Sequence, residues 1–163
     1  MAGIPDALFQ QLSATHSGAP WYGTSREKLL DGITAKQASL EPIKGGHSIW
    51  QQVLHMISWT REVTRRIQGA APSSPVEGDW PSPKEKTDKE WSATRKKLAD
   101  AHSELLATIR KQPAERWDQP VGRDHDPALG TGITVLGMLI GLAQHDAYHI
   151  GQIAELRRAA ELL

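Results

Sequence analysis

From Ile133 to Ala143 the sequence is apolar almost all round at helical spacing, and it runs without a break into His145-Asp146-Ala147-Tyr148-His149. A helix apolar on every side demands cover on every side. The segment therefore predicts a chain that packs its other helices around its last one. The two histidines stand four residues apart, on one helical face. At about 100° per residue, Met138, Leu142, His149, Gln152 and Leu156 all lie within about 60° of His145, so the imidazoles point inward. Two imidazoles buried without partners would cost roughly 1 to 3 kcal/mol per unsatisfied group, which predicts a shared ligand or a hydrogen-bond network at that level.

Three further stretches carry the same periodicity. Pro5 suits a first helical turn, and Leu8, Phe9 and Leu12 follow at helical spacing up to Ser17-Gly18-Ala19-Pro20. Ser48-Ile49-Trp50-Gln51 has the form of a capping box. It opens a helix reaching Gly69, with Ile49, Trp50, Val53, Ile57, Thr60, Thr64 and Ile67 on one broad face. Thr87-Asp88-Lys89-Glu90 repeats the box ahead of Trp91, Leu98, Leu105 and Ile109, in a helix that stops near Pro113. Thr24-Ser25-Arg26-Glu27 has the same form and predicts a small extra helix over Glu27 to Gly32. No strand-like alternation competes, so the fold class is all-α: four main helices packed as a bundle, in a single domain over residues 1–163. The Pro-, Gly- and Ser-rich run from Ala70 to Pro83, anchored by Asp79-Trp80-Pro81, and the stretch from Trp117 to Gly130 are longer than adjacent antiparallel helices need. They are expected to cross the bundle or to wall a site.

Composition narrows the function classes. Lys plus Arg and Asp plus Glu number 19 each, and no basic patch is interleaved with aromatics, so a nucleic-acid partner is not expected. The chain has no cysteine, which excludes disulfides, thiolate metal sites and a cysteine nucleophile. Any thiol chemistry must use a thiol from elsewhere. With no leader-like start and no stretch near the roughly 20 apolar residues of a membrane span, the expectation is a cytoplasmic chain with no membrane contact. The last helix offers more apolar surface than three shorter partners cover, which predicts a homodimer.

His55 lies upstream on the polar side of its helix, among Ser48, Gln51, Gln52, Ser58, Trp59 and Glu62. That position suits either an exposed residue or a ligand facing a cleft walled by Trp59 and the long loops. With His145 and His149 it would give three neutral imidazoles from two helices, a set that leaves at least one position open on a divalent ion. Gln152, one turn beyond His149, and Tyr148 are candidates to orient those rings. Asp146, about 100° from His145, is assigned a structural contact. His125, in the polar run Arg123-Asp124-His125-Asp126, is a candidate for substrate contact. His102 is expected to be a core residue with one hydrogen bond, His16 a surface residue, and His47 part of the start of its helix.

Read together, Gly46-His47-Ser48-Ile49-Trp50 with Val53-Leu54-His55 and Trp59, then Gly69 and Asp79-Trp80-Pro81, and finally Gly141 to Ile153 with its His-x-x-Tyr-His-x-Gly-Gln-Ile pattern, resemble the DinB superfamily of DinB/YfiT-like metal-dependent enzymes. The resemblance implies a four-helix bundle in up-down-down-up order with long crossover loops, frequent homodimers, and a divalent metal on His55, His145 and His149. Zinc or nickel is the expected ion, while three imidazoles also accommodate iron, manganese or cobalt. Relatives include transferases that use bacillithiol, mycothiol or glutathione. The implied function is a thiol-dependent S-transferase or isomerase acting on a small electrophile, the ion favouring the thiolate of a thiol whose free pKa is about 8.5. Two alternatives stand. One is a hydrolase, since an ion also activates water and His-Asp-x-x-His differs from His-Glu-x-x-His by one methylene. The other is a non-enzymatic, stress-related module stapled by its metal.

Overall fold

The computed structural model describes residues 4–122 and 126–161. Its helices are α1 (Ile4–Ser17), α2 (Arg26–Leu30), α3 (Ala35–Ala38), α4 (Ile49–Ile67), α5 (Asp88–Arg110) and α6 (Val135–Glu161), with a 3-10 turn at Ala114–Arg116. Among the described residues there is no strand, only an isolated antiparallel bridge between Pro120 and Thr134. The Ser48 box forms as the sequence predicts: the Gln51 N–H donates to Ser48 Oγ at 3.2 Å, and the Ser48 N–H donates to Gln51 Oε1 at 2.9 Å. Thr87 caps α5 by accepting the Glu90 N–H at 3.3 Å, but no return bond from the Glu90 side chain to the Thr87 N–H completes the expected box. α4 ends at Gln68, and the following Gly69 takes φ +97°, a left-handed conformation that other residues rarely adopt.

Two local expectations are corrected. The small second helix runs over Arg26–Leu30 rather than Glu27 to Gly32, with Ser25 at its N-cap and no side-chain cap bond. The Thr24 box does not form. Tertiary structure prevails there, because Arg26 opens the helix with its side chain turned wholly inward. α3 was not anticipated, although Thr34 and Gln37 make a reciprocal capping box. Four residues are too few to show a period.

α4 packs along both α5 and α6, and α1 also packs along both. Among the described residues neither α1 with α4 nor α5 with α6 is closely paired, so each of these two pairs is diagonal across the bundle. The connections from α1 to α4 and from α5 to α6 therefore cross it, as their length predicts. The connection from α4 to α5 joins neighbours, and its length serves the site described below. α6 begins at Val135, not Ile133, and it is not covered on every side: Ile140 is 41% and Tyr148 64% exposed, with Gly141, Gln144 and Gly151 on the same exposed flank.

The core has two apolar halves. One surrounds Trp50, Val53, Trp91, Leu98 and Ile153; the other surrounds Leu12, Val63, Leu105, Leu139 and Leu142. In the first, the indole N–H of Trp91 donates to the Ile33 carbonyl at 2.7 Å and that of Trp50 to Thr94 Oγ1 at 3.1 Å, so neither ring is buried with an unmet donor. Between the halves runs a polar layer. On α6 it spans His145, Asp146 and His149, between Leu142 and Ile150; on α5 it is His102, between Ala101 and Leu105. The polar flank of α4 is interior as well: Gln52, His55, Ser58 and Glu62 are all buried. Glu62 accepts from Arg66 Nε at 2.7 Å, Arg65 Nε at 2.9 Å and the Ser73 N–H at 3.0 Å, fastening the start of the following loop to the helix.

Arg26 is the centre of the polar layer. Completely buried, it donates from Nη1 to Asp146 Oδ2 at 2.9 Å, and its Nη2 lies 3.1 Å from His102 Nδ1 and 3.3 Å from His16 Nδ1. A guanidinium only donates, so both imidazoles accept at Nδ1 and are neutral. His102 is the core histidine that the sequence predicts. His16 is half-buried rather than a free surface residue; it stacks on His102 at 4.8 Å. Burial first, and then the Arg26 charge, lowers the pKa of His102 to about 3 and that of His16 to about 4. Unfolded, both imidazoles take a proton near pH 6.5. The unfolded chain thus binds more protons, and stability is lost as pH falls from about 6.5 toward the folded values. Urea titrations of metal-free protein should show the unfolding midpoint falling steadily between about pH 7 and pH 4, with a shallower fall for His102→Asn, which keeps an acceptor but does not titrate.

Candidate metal centre

His55 comes from the middle of α4 and His145 and His149 from successive turns of α6, so packing of these two helices is enough to assemble the group. His55 Nε2 lies 2.8 Å and His149 Nε2 3.1 Å from His145 Nε2. The potential ligand atoms of all three residues fall within 4.8 Å of one another. His55 and His149 are buried and His145 is half-buried.

The outer ring nitrogens fix the chemistry of the inner ones. His55 Nδ1 donates to the Asp79 backbone carbonyl at 2.6 Å. His149 Nδ1 donates to Gln52 Oε1 at 2.5 Å and to Gln152 Oε1 at 3.0 Å. Carbonyl oxygens only accept, so these rings carry their protons on Nδ1 and present lone pairs at Nε2. Lone pairs facing each other at such distances repel, and a cation between them would satisfy all of them at once. Burial, the chief cause, depresses the basicity of His55; burial and the neighbouring imidazoles lower the pKa of His149 to about 4. Neither proton competes for these ligand atoms at neutral pH. Three imidazoles converging on one point, two of them with the outer nitrogen already held, fit a divalent ion.

The loop from α4 to α5 closes one side. Trp80 is sandwiched between His47 at 3.6 Å and His55 at 3.9 Å, while the Trp59 indole N–H donates to Asp79 Oδ1 at 2.7 Å. The histidines lie in a cleft of about 530 Å³ walled by Trp59, Trp80 and Tyr148 and by aliphatic side chains, among them Val63, Met138 and Leu142.

Of the residues singled out in the sequence, Gln152 is in hydrogen-bond contact with His149 and Trp59 stands in the cleft wall. Tyr148 is at the exposed rim, meeting His149 through a ring edge at 5.1 Å rather than through a hydrogen bond among the described residues. His47 meets the site by stacking on Trp80, whose other side lies against His55. His125 lies outside the described residues. Sequence reasoning missed Gln52 and the Asp79 carbonyl. Gln52 shares the polar flank of α4 with His55, but its bond is to a residue 97 positions away. A backbone carbonyl leaves no sequence signal at all.

Because Gln52 makes the shorter contact with His149, Gln52→Ala should weaken zinc binding by about 10- to 100-fold with helicity intact, and Gln152→Ala by less. Competition with a chromophoric chelator measures both.

Residues 25–153 match the family model of the DinB superfamily. No curated protein and no solved structure matches the chain. The matched span holds His55, His145 and His149 together with Gln52, Asp79 and Gln152. With the greater part of its sequence matched, the chain belongs to the DinB superfamily.

Proposed function

We propose that the protein is a divalent-metal-dependent enzyme that transfers a low-molecular-weight thiol to a small electrophile or isomerises the adduct. The observation that carries the metal reading is the convergence of the three imidazoles in an apolar cleft, with the outer nitrogens of His55 and His149 tied to acceptors. His55, His145 and His149 would hold the ion, which supplies Lewis acidity and favours a thiolate over a thiol. The chain's own residues do the rest. Gln52, Gln152 and the Asp79 carbonyl keep the rings aimed. The aromatic and aliphatic walls bind the body of an electrophile and keep water from it. With no cysteine in the chain, the thiol is brought in from outside.

Hydrolysis is the less favoured reading. Asp146, which stands where His-Glu-x-x-His has its general base, is buried against Arg26 instead of lining the cleft. A purely structural staple is also less favoured, because α4 and α6 already pack through apolar residues, and three protein ligands leave an ion open to reaction.

Metal content by inductively coupled plasma mass spectrometry tests the reading. Wild type should carry about one equivalent, His55→Ala, His145→Ala and His149→Ala should each lose it, and circular dichroism should show the helices surviving chelation. The metal-loaded protein should then accelerate consumption of one member of a thiol panel by model electrophiles. Unfolding on chelation would instead indicate a staple, and thiol-independent ester or amide cleavage a hydrolase.

We also propose a homodimer formed through the exposed flank of α6, where Ile140 and Tyr148 are solvent-facing, together with Ile133 just before the helix. Sedimentation at micromolar concentration should show a dimer for wild type and a monomer for Ile140→Asp.

A further inference from the structure

The three imidazoles differ on their far sides. His55 and His149 each have an acceptor within 3.0 Å of Nδ1. His145 has none: its Nδ1 is buried without a hydrogen-bond partner. The nearest carboxylate oxygen, Asp146 Oδ1, is 3.8 Å away and is itself buried and unpartnered. Two orphaned atoms of complementary type, donor and acceptor, thus face each other just beyond bonding distance. Asp146 is not free to turn away, because its other oxygen, Oδ2, is held by the buried Arg26 at 2.9 Å. Arg26 is in turn hemmed in by His102 and His16. The Arg26 guanidinium, wholly buried beside it, supplies the counter-charge of the Asp146 carboxylate.

We infer that Asp146 is the positioning residue for His145, an anionic acceptor presented by Arg26 that takes the His145 Nδ1–H when the three histidines hold their ion. The inference rests on the metal reading above. It gives every ligand ring an acceptor on its outer nitrogen, from three different sources: a backbone carbonyl for His55, side-chain amides for His149, and a carboxylate for His145. Of these only the carboxylate carries charge, and a charged acceptor on Nδ1–H makes Nε2 the stronger donor. That acceptor falls to the ring that is the most exposed of the three. Arg26 is a positioning residue at one further remove, fixing the carboxylate that fixes the ring.

The test compares zinc affinity, by chelator competition, for wild type, Asp146→Ala, Asp146→Asn and His102→Asn. His102 touches the same guanidinium but not the ligands, so His102→Asn reports what disturbing the polar layer does by itself. Asp146→Ala should bind zinc about 10- to 100-fold more weakly, Asp146→Asn should recover part of that loss through its amide oxygen, and His102→Asn should lower the thermal midpoint with zinc affinity unchanged. Nitrogen-15 correlation spectra of the zinc-loaded wild type supply a readout that needs no variant to fold. They should show the His145 Nδ1–H in slow exchange and shifted downfield, as a charge-assisted hydrogen bond requires. Zinc affinity of folded Asp146→Ala within about twofold of wild type would overturn the assignment, as would a rapidly exchanging His145 Nδ1–H in the wild-type complex. Wild type that binds no zinc would remove the metal reading and this inference with it; wild type that binds zinc beside an equally competent Asp146→Ala would remove this inference alone.

Discussion

A guanidinium with no access to water has to find its counter-charge inside the protein, and for Arg26 that charge is Asp146, 120 residues later. Removing one partner of such a pair typically costs about 3–5 kcal/mol, whereas replacing both by apolar groups is often neutral. The pair is therefore poor evidence for stability gained and better evidence for geometry specified. It joins α2 to α6 at the turn that carries His145, and through His102 and His16 it draws in α5 and α1. Each helix that carries none of the three histidines, apart from α3, thus reaches the His145 turn of α6 through one cation.

The same layer explains how α4 is shared. Its aliphatic flank fills the apolar halves of the core, while its other flank carries Gln52, His55 and Glu62 into a second interior that is polar. A buried polar flank is tolerable only if its groups are met. Gln52 meets His149, His55 meets the Asp79 carbonyl, and Glu62 meets Arg65, Arg66 and the Ser73 N–H. Two of these five partners, the Asp79 carbonyl and the Ser73 N–H, come from the loop after α4. That loop is therefore part of what makes the α4 sequence foldable, besides covering the cleft.

Elements that advertise themselves locally were legible. Ser48 with Gln51, the Thr87 cap and the apolar spacing of α4, α5 and α6 fix helices through contacts only three or four residues apart, and those helices form, α6 starting two residues after its apolar run begins. The inward pairing of His145 and His149 follows from the same short-range geometry. What escaped depends on chain segments far apart. The orientation of Arg26 displaced the Thr24 box, the burial of His16 depends on Arg26 and His102, and the exposed flank of α6 reflects which neighbours the bundle supplies. His55 is the instructive case. Helical periodicity assigns it to a polar side, which was true, but periodicity cannot say whether a polar side meets water or another polar side.

That distinction bears on function more than on fold. A three-histidine group needs only two helices, and two helices need only a short link; α4 and α5 are neighbours, yet residues 68–87 separate them. The surplus chain does what α4 and α6 cannot do for themselves. It returns over His55 to deliver the Asp79 carbonyl to Nδ1 and the Trp80 ring to the imidazole face. A helix cannot make such a delivery from its own backbone, because its interior carbonyls are already committed to hydrogen bonds one turn on. Orienting a helical histidine by a main-chain carbonyl therefore requires irregular backbone brought in from elsewhere. Irregular backbone is also what can vary in shape to wall a cleft without disturbing the helices beneath it.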